Sequence, residues 1–309
     1  MLARLNKNLK QTVSRIGLGC ASLSGEGGGY GFGDFSEKQA EELVKSSWEL
    51  GINVFDTAPI YGFGLSEERL GRYLPPEAFI ITKGGVDWHP NKRVNMTNRP
   101  EIIEKMLQES LKRLNREFID LYMIHWPDSQ VDIRRPLEIL KNYQDKGIIK
   151  FIGLCNTNLI DLGRAREIVH IDAIQSELNA FNANSFQMLN QDWKDYFTMA
   201  WGTFDKGILS GRVKKGRVFD KSDCRSWAPW WNKKEVEQKV LRADKLEIIL
   251  KDYELSLSEF AIHYNVTFFG INCALVGLKN TQDLIEVISI LQKNISTKTI
   301  EEVLERWNK

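Results

Sequence analysis

The sequence is poor in several features that define specialised classes of protein. It has only four cysteines among 309 residues, widely spaced and without a CxxC pair, so neither a disulfide framework nor a structural zinc site is expected. No apolar run reaches the roughly 20 residues that span a bilayer, and the segment MLARLNKNLKQTVSRIG lacks the continuous apolar stretch of a secretory signal. Lysine and arginine total 42 against 41 acidic residues, which leaves no basic footprint for nucleic acid or for an acidic membrane. These absences predict a soluble cytoplasmic protein.

What the sequence does contain is an alternation of short apolar runs and longer amphipathic segments. The strand-like runs are SRIGLGCASL, NVFDTA, AFIITKGG, DLYMIHW, IKFIGLCN, DAIQSEL, YFTMAW and CALVGL. Helical patterns lie between most of them; Ser36 is expected to cap the first helix, Ser66 the second, and Pro100 to lie in the first turn of the third. Eight β/α units in a chain of this length predict an α/β protein with a (β/α)8 TIM barrel, in one domain over residues 1–309.

The alternative fold is an open Rossmann-type sheet, which would need a GxGxxG motif opening a helix after the first strand. GEGGGYGFGDF is rich in glycine without that spacing, so we expect it to be a mobile first βα loop over the active-site face. Residues 205–232 are long, basic and aromatic, and the helical segment NKKEVEQKVLRADKLEIILKDY follows them. We expect this loop and extra helix to be inserted between strands 7 and 8 and to overhang the C-terminal face.

Four residues have the chemical types needed for proton transfer to a carbonyl oxygen. Asp56, Lys83 and His125 each end a strand-like run and Tyr61 follows one, so a parallel barrel would gather them at its C-terminal end. A tyrosine with a pKa near ~10 is a weak acid, and the ammonium of Lys83 would lower that pKa. Asp56 could hold Lys83, while His125 could orient the carbonyl. The hydride must come from a cofactor, because no side chain can supply one.

The sequence resembles the aldo-keto reductases nearly from end to end. The segments that carry the resemblance follow the family's order: RIGLG, FDTAPIYG, SEERLG, ITKGG, IDLYMIHWPD, IKFIGLCNTN, IQSELN, GILSGR and LVGLKNTQDL. The resemblance implies the same barrel, NADPH as the usual hydride donor and a reaction without a metal. It also implies that Tyr61 is the proton donor, that Lys83 and Asp56 tune it, and that His125 orients the substrate.

The resemblance further implies contacts to the nicotinamide. Asn156 and Gln175 would bond its carboxamide, and Cys155 stands where the family usually has a serine. Because a thiol is a weaker hydrogen-bonding group than a hydroxyl, we expect the contact of Cys155 to be weaker. Trp201 would stack on the nicotinamide ring.

The remaining cofactor contacts fall on the segment GILSGR and on the last strand and its helix. The residues implied are Gly207, Leu209, Ser210, Arg212, Gly277, Lys279 and Asp283. Asp283 and Val287 stand where the family often has Arg or Gln and later Asn, so a 2′-phosphate would meet an acidic side chain, although Lys279 could still pair with it. The interpretation favours NADP(H) and leaves NAD(H) open.

The predicted function is the NAD(P)H-dependent reduction of an aldehyde or ketone, or the reverse oxidation. Trp88 and Trp126 flank the predicted site, where they would line the substrate pocket or close the barrel mouth; the tryptophan-rich loop suggests sugars or sugar derivatives. One alternative is a regulatory subunit that binds the cofactor but turns over poorly. Another is a nucleotide-sugar oxidoreductase in which Lys214, Lys215 and Arg217 contact the diphosphate. Neither a metal nor a nucleic-acid partner is expected, and the substrate's identity, the reaction direction and the oligomeric state stay open.

Overall fold

The computed structural model describes residues 3–7, 9–25, 30–187 and 192–309. Within them the strands are β1 (Ala3–Asn6), β2 (Gln11–Ser14), β3 (Ile16–Gly19), β4 (Val54–Asp56), β5 (Phe79–Gly84), β6 (Val86–Trp88), β7 (Val94–Met96), β8 (Ile119–Ile124), β9 (Ile149–Cys155), β10 (Ala173–Glu177), β11 (Phe197–Trp201) and β12 (Cys273–Val276). The helices are α1 (Glu37–Glu49), α2 (Leu65–Tyr73), α3 (Pro100–Leu114), α4 (Arg134–Asp145), α5 (Leu159–Arg166), α6 (Asn184–Gln187), α7 (Lys233–Lys251), α8 (Leu257–His263), α9 (Thr281–Ile290) and α10 (Thr297–Trp307). Residues 26–29 of the predicted glycine-rich loop lie outside the described residues.

Eight of the described strands form a closed parallel barrel in the order β3, β4, β5, β8, β9, β10, β11 and β12. The last strand pairs with the first, with Ala274 opposite Ile16 and Val276 opposite Leu18. The predicted (β/α)8 fold is therefore confirmed. Since all eight strands run in the same direction, their C-terminal ends meet at one face of the barrel.

The barrel strands are buried on both sides, and two apolar layers result. One layer fills the barrel interior with side chains such as Phe79, Met123 and Phe197. The other lies between the strands and the surrounding helices and includes Phe55 and Ile80. Because successive side chains of a strand point to opposite faces, both layers draw on the same strands. This is why the strands read as continuous apolar runs in the sequence.

Local signals at the helix ends are followed in part. Ser36 accepts a hydrogen bond from the backbone N–H of Gln39, whose side chain returns the contact in a capping box, and α3 begins at Pro100 as predicted. The prediction that Ser66 caps α2 is wrong, because that helix begins at Leu65. The buried hydroxyl of Ser66 instead donates to the carbonyl oxygen of Cys20 at 2.8 Å.

Several elements surround the barrel beyond the eight β/α units. The long loop after β11 and the extra helix α7 lie between the seventh and eighth barrel strands, as predicted. Three further elements are not predicted from the sequence: the hairpin β1–β2 before the barrel, the hairpin β6–β7 after β5, and α10. In the part of the chain that is described, no helix is both long and apolar enough to cross a membrane.

Candidate active site

The barrel brings the four predicted catalytic side chains together at its C-terminal face. Asp56 ends β4, Lys83 is the penultimate residue of β5, His125 directly follows β8, and Tyr61 lies in the turn after β4. The Nζ atom of Lys83 is 2.8 Å from each carboxylate oxygen of Asp56 and 5.5 Å from the centre of the Tyr61 ring. The rings of Tyr61 and His125 lie 6.1 Å apart, almost perpendicular to each other.

Lys83 is completely buried and its ammonium group is fully hydrogen-bonded. Besides the two bonds to Asp56, it donates to the carbonyl oxygen of Thr57 at 2.9 Å. A lysine ammonium has three N–H donors, so all three have partners within this part of the site. Lys83 therefore acts on Tyr61 through its charge, without a direct hydrogen bond.

The burial of the site controls which of these groups are charged. Burial opposes the charge of Lys83, but the adjacent Asp56 outweighs it and the pKa of Lys83 is raised. Burial raises the pKa of Tyr61 to about 12, while Lys83 counteracts part of that rise. Burial and the charge of Lys83 together hold the pKa of His125 well below its ordinary value. At neutral pH the site thus contains a charged lysine, a protonated tyrosine and a neutral histidine.

The residues predicted to contact the nicotinamide lie beside these side chains. Asn156 donates from Nδ2 to the carbonyl oxygen of His125 at 3.1 Å, and its Oδ1 accepts from the indole N–H of Trp201 at 3.0 Å. Cys155 is buried one residue earlier, at the end of β9. Gln175 is buried on β10, and its Nε2 donates to Asp56 at 2.7 Å.

The segment predicted to wrap the pyrophosphate forms a tight turn after β11. Gly207 has a positive φ of 105°, the hydroxyl of Ser210 donates back to its carbonyl oxygen at 3.1 Å, and Leu209 packs its side chain in the core. Arg212 forms a bidentate ion pair with the carboxylate of Asp283 in the first turn of α9. The negative charge of Asp283 is therefore already compensated by a neighbouring guanidinium.

Lys279 provides a half-buried positive charge just after β12. Lys279 lies two residues after Gly277, which is exposed directly after β12. Burial lowers the pKa of Lys279. Among the described residues no hydrogen bond or ion pair of Lys279 is present. A side chain at Gly33 would bring its Cβ within 3.2 Å of the ammonium, so the glycine keeps the space beside the cation open. These residues fit an anionic group such as the diphosphate of a dinucleotide.

Aromatic side chains surround the mouth of the barrel. Trp88 projects from the hairpin β6–β7 and packs on Phe63, with ring centres 5.4 Å apart. Trp126 is 38% exposed and its ring lies 6.4 Å from that of Trp201. Phe63 is not predicted from the sequence; the signal that could have found it is an apolar side chain between two glycines in the turn YGFGLS.

The loops after β3 and β11 join each other across the end of β12. Phe32 forms an isolated antiparallel bridge with Asp223, and the backbone N–H of Cys224 donates to the carbonyl oxygen of Gly31 at 2.9 Å. Arg225 donates a hydrogen bond of 2.6 Å from Nη2 to the carboxylate of Asp223. Its guanidinium carbon lies 4.0 Å from the centre of the Phe219 ring. The sequence predicts that both loops lie over the C-terminal face, but nothing in it indicates that they contact each other.

The sequence profile described as "Aldo/keto reductase family" matches residues 15–308. The chain belongs to the aldo/keto reductase family. This membership confirms the resemblance seen in the sequence and the prediction of an NAD(P)-dependent oxidoreductase acting on carbonyl and alcohol groups.

Individual relatives cover almost the whole chain. The aldo-keto reductase YhdN of Bacillus subtilis is 30% identical over 308 residues, which cover 92% of each chain. The aldo-keto reductase yakc [NADP(+)] of Schizosaccharomyces pombe is 26% identical over 95% of this chain and 88% of its own. The solved structure of a glycerol dehydrogenase from Gluconobacter oxydans superposes with a TM-score of 0.82 at 27% identity, covering 98% of this chain and 95% of that one.

Proposed function

We propose that this enzyme reduces aldehydes or ketones to alcohols with NAD(P)H, and catalyses the reverse oxidation, using Tyr61 as the general acid. The observation that carries the proposal is the buried Lys83–Asp56 pair beside Tyr61, with the neutral His125 ring 6.1 Å from the phenol ring. When bound, the nicotinamide supplies the hydride that the carbonyl carbon receives. The chain's own residues then have to supply one proton and to stabilise the negative charge that remains on the proton donor.

The proton comes from the Tyr61 hydroxyl and goes to the carbonyl oxygen. The phenolate left behind is stabilised by the charge of Lys83, and Asp56 keeps that ammonium in place. His125, being neutral, can donate a hydrogen bond to the carbonyl oxygen and orient it. A positioned acid of this kind typically contributes about 10²–10⁴ in rate.

For the cofactor we propose that Asn156 and Trp201 lie at the nicotinamide. Lys279 would pair with a phosphate group, and the turn from Gly207 to Arg212 would wrap the pyrophosphate. NADP(H) is favoured and NAD(H) remains a candidate. The pairing of Asp283 with Arg212 supports NADP(H), because it removes the unpaired negative charge that would repel a 2′-phosphate. We further propose a cytoplasmic enzyme whose Trp88 and Trp126 line the substrate pocket, with sugars or sugar derivatives as a candidate substrate class.

The two alternative functions receive less support from contacts. For a nucleotide-sugar enzyme, Lys214 was expected to contact the diphosphate, but it pairs with Asp244 and Glu247 of α7. A regulatory subunit that only binds the cofactor would not need the buried ion pair of Asp56 and Lys83.

The test is cofactor oxidation followed by absorbance, with NADPH and NADH in parallel over a panel of small aldehydes, ketones and sugars. We expect turnover in the wild type and a decrease of kcat by at least about 10²-fold in Tyr61→Phe, with NADPH binding unchanged as measured by tryptophan fluorescence. Tyr143→Phe is the matched control, since its hydroxyl bonds Glu104 on the outer helical layer. Near-normal turnover in Tyr61→Phe would rule Tyr61 out as the acid.

A further inference from the structure

The hairpin β6–β7 carries a lysine at its tip, at a position where the backbone favours glycine. The N–H of Lys92 donates to the carbonyl oxygen of His89 at 2.8 Å, and the N–H of His89 donates to the carbonyl oxygen of Arg93 at 2.9 Å. Pro90, Asn91 and Lys92 therefore form the loop of the hairpin, in which Lys92 has a φ of 64°. The left-handed position of such a loop usually holds glycine, because a side chain is strained there. Strain of this kind is concentrated at functional sites, which directs attention to the side chain of Lys92.

The side chain of Lys92 lies against the aromatic wall of the mouth, which is formed by Tyr61, Phe63 and Trp88. Its Nζ atom is 5.5 Å from the centre of the Phe63 ring, and Phe63 packs on Trp88 with ring centres 5.4 Å apart. All three aromatic rings pack against one small apolar cluster. The ammonium of Lys92 is therefore held at the exposed end of a wall that begins at the proposed proton donor.

The contact with Phe63 positions the ammonium of Lys92 without using its hydrogen-bond donors. Within the described part of the chain, no side chain accepts a hydrogen bond from Nζ of Lys92 and no carboxylate forms an ion pair with it. A lysine ammonium has three N–H donors, and a cation–π contact depends only on its charge. The segment from Trp88 to Met96 contains Lys92 and Arg93 but neither aspartate nor glutamate. The tip of the hairpin therefore offers a positive charge and its donors to an anion.

The place of the hairpin in the barrel separates this charge from the proposed cofactor site. The hairpin follows β5, whereas Arg212 and Lys279 lie in the segments after β11 and β12. In the closed ring of strands, β5 and β11 are four places apart and lie on opposite sides of the barrel. An anion that binds to Lys92 is therefore a group of the molecule that reaches Tyr61 along the aromatic wall, and not a phosphate of the proposed cofactor.

We propose that Lys92 is a specificity-determining residue that selects carbonyl substrates with a carboxylate or phosphate group several bonds away from the carbonyl. This inference rests on the proposed function and names the substrate class of the same site. The carbonyl oxygen would lie at Tyr61, the body of the substrate along Phe63 and Trp88, and the anionic group at the ammonium of Lys92.

The experiment compares two pairs of aldehydes that differ in charge, with NADPH as the cofactor. The carboxylate pair is 4-carboxybenzaldehyde and its methyl ester, and the phosphate pair is erythrose 4-phosphate and erythrose. At low ionic strength we expect kcat/KM in the wild type to be about fivefold higher for the charged aldehyde, the upper value for an exposed ion pair. About 0.5 M NaCl should remove most of this preference through screening. A preference confined to one pair would show which of the two anionic groups the site binds.

Lys92→Gly removes the charge and restores the residue that the turn favours. We expect the ratio of kcat/KM for the charged aldehyde to that for its neutral partner to fall to about one and to lose its dependence on salt. The urea midpoint of unfolding should not decrease, because relief of the positive φ offsets the lost contact with Phe63. Lys92→Arg should keep the preference, and Lys92→Glu should reverse it.

Lys10→Gly is the matched control for the backbone. Lys10 is also exposed and has a positive φ of 51°, but it lies in the hairpin β1–β2 before the first barrel strand. This variant should relieve the same kind of strain and leave the preference for the charged aldehyde unchanged.

Two results would overturn the inference. Equal kcat/KM values for charged and neutral aldehydes in the wild type would show that the site does not distinguish charge. A decrease of both values by the same factor in Lys92→Gly would show that Lys92 only supports the hairpin.

A binding measurement separates this inference from the proposed function. In [15N]tryptophan-labelled protein, the indole signal of Trp88 can be assigned by its loss in Trp88→Phe and followed during titration with 4-carboxybenzaldehyde and with its methyl ester in the presence of NADP+. We expect the Kd of the acid to be about fivefold lower, and this difference to disappear in Lys92→Gly. Absence of turnover with every aldehyde would refute the proposed function, and the ratio of the two Kd values would still decide whether Lys92 binds the anion.

Discussion

At the scale of single residues, the acidity of Tyr61 is set by burial and by two neighbouring charges of opposite sign. Burial raises its pKa to about 12, Lys83 lowers it, and Asp56 raises it. From the sequence, the positive charge of Lys83 alone predicts a lowered pKa for Tyr61. In the structure, the ammonium of Lys83 only limits the rise in pKa that burial causes, because the negative charge of Asp56 offsets part of its effect. The phenol is consequently fully protonated at neutral pH, which suits reduction better than oxidation.

The two reaction directions should therefore differ in their dependence on pH. Reduction needs the protonated Tyr61, whose pKa is raised to about 12, and a neutral His125, whose pKa is lowered. We expect kcat/KM for reduction to be nearly constant from about pH 6 to 9, an interval between the two pKa values. Oxidation needs the phenolate and should rise about tenfold per pH unit over the same interval, as expected below the pKa of an essential base.

Initial rates at saturating cofactor, with an aldehyde and with its alcohol, would measure both profiles. A fall of the reduction rate above about pH 8 would contradict the protonated Tyr61, and a fall below about pH 6.5 would contradict the neutral His125.

How far the sequence predicts the site depends on what each residue's role requires. Asp56, Lys83 and His125 could be predicted because each combines a reactive side chain with the end of an apolar run. The orientation of Gln175 could not, because it is decided by partners on β4 and β9 that are distant in sequence. Ser36 and Ser66 show the same contrast: both have helix-capping chemistry, but only Ser36 is exposed at a helix start, while burial commits Ser66 to Cys20.

At the scale of elements, α2 and α3 approach so closely that the packing depends on a glycine. A Cβ atom at Gly71 would lie 2.6 Å from the carbonyl oxygens of Arg113 and Leu114. Beside this contact, the buried Glu67 accepts a hydrogen bond of 2.6 Å from Nε of Arg113. The two helices therefore meet through backbone contact on one side and an ion pair on the other, and neither can move without disturbing both.

Two glycine-to-alanine substitutions in helices should consequently have opposite signs. Gly71→Ala forces α2 and α3 apart and should lower the free energy of unfolding by about 1–3 kcal/mol, the usual cost of overpacking. Gly163→Ala in α5 meets no atom within 4 Å, so it should raise that free energy by about 0.5–1 kcal/mol through helix propensity. Urea unfolding of both variants measures the difference. Equal effects would mean that the contact between the helices is looser than described.

The hairpin strands that were not predicted from the sequence are short and lack a periodic pattern, whereas α10 was not predicted although Ile300, Val303 and Trp307 follow a helical spacing. β6 and β7 have three residues each, too few to show the alternation that identifies a strand. Their pairing places Trp88 beside Phe63 at the barrel mouth. By contrast, α7 has 19 residues and was predicted because a long helical pattern needs no tertiary information.

At the scale of the whole molecule, the barrel separates stability from chemistry along each strand. The interior layer fills the barrel with apolar side chains, and the reactive groups lie at the C-terminal ends of the strands. β11 illustrates this: Phe197 begins the strand and packs against Phe79 with ring centres 6.4 Å apart, and Trp201 ends it beside Asn156. The two ends are about 13 Å apart at 3.3 Å per residue. The eightfold alternation in the sequence predicts this division, because it predicts where strands end.

The same strand should therefore yield two variants with opposite defects. Phe197→Ala removes a completely buried ring and should lower the free energy of unfolding by about 3–5 kcal/mol, while the Kd for NADPH stays nearly constant in the protein that remains folded. Trp201→Ala removes a partly exposed ring at the proposed nicotinamide site and should raise that Kd about tenfold, a loss of about 1.4 kcal/mol, with less than half the loss of stability. Urea unfolding and titration with NADPH, followed through the remaining tryptophans, measure both quantities on the same samples. If Phe197→Ala weakened binding as much as Trp201→Ala, the two ends of the barrel would be coupled and the proposed separation would be wrong.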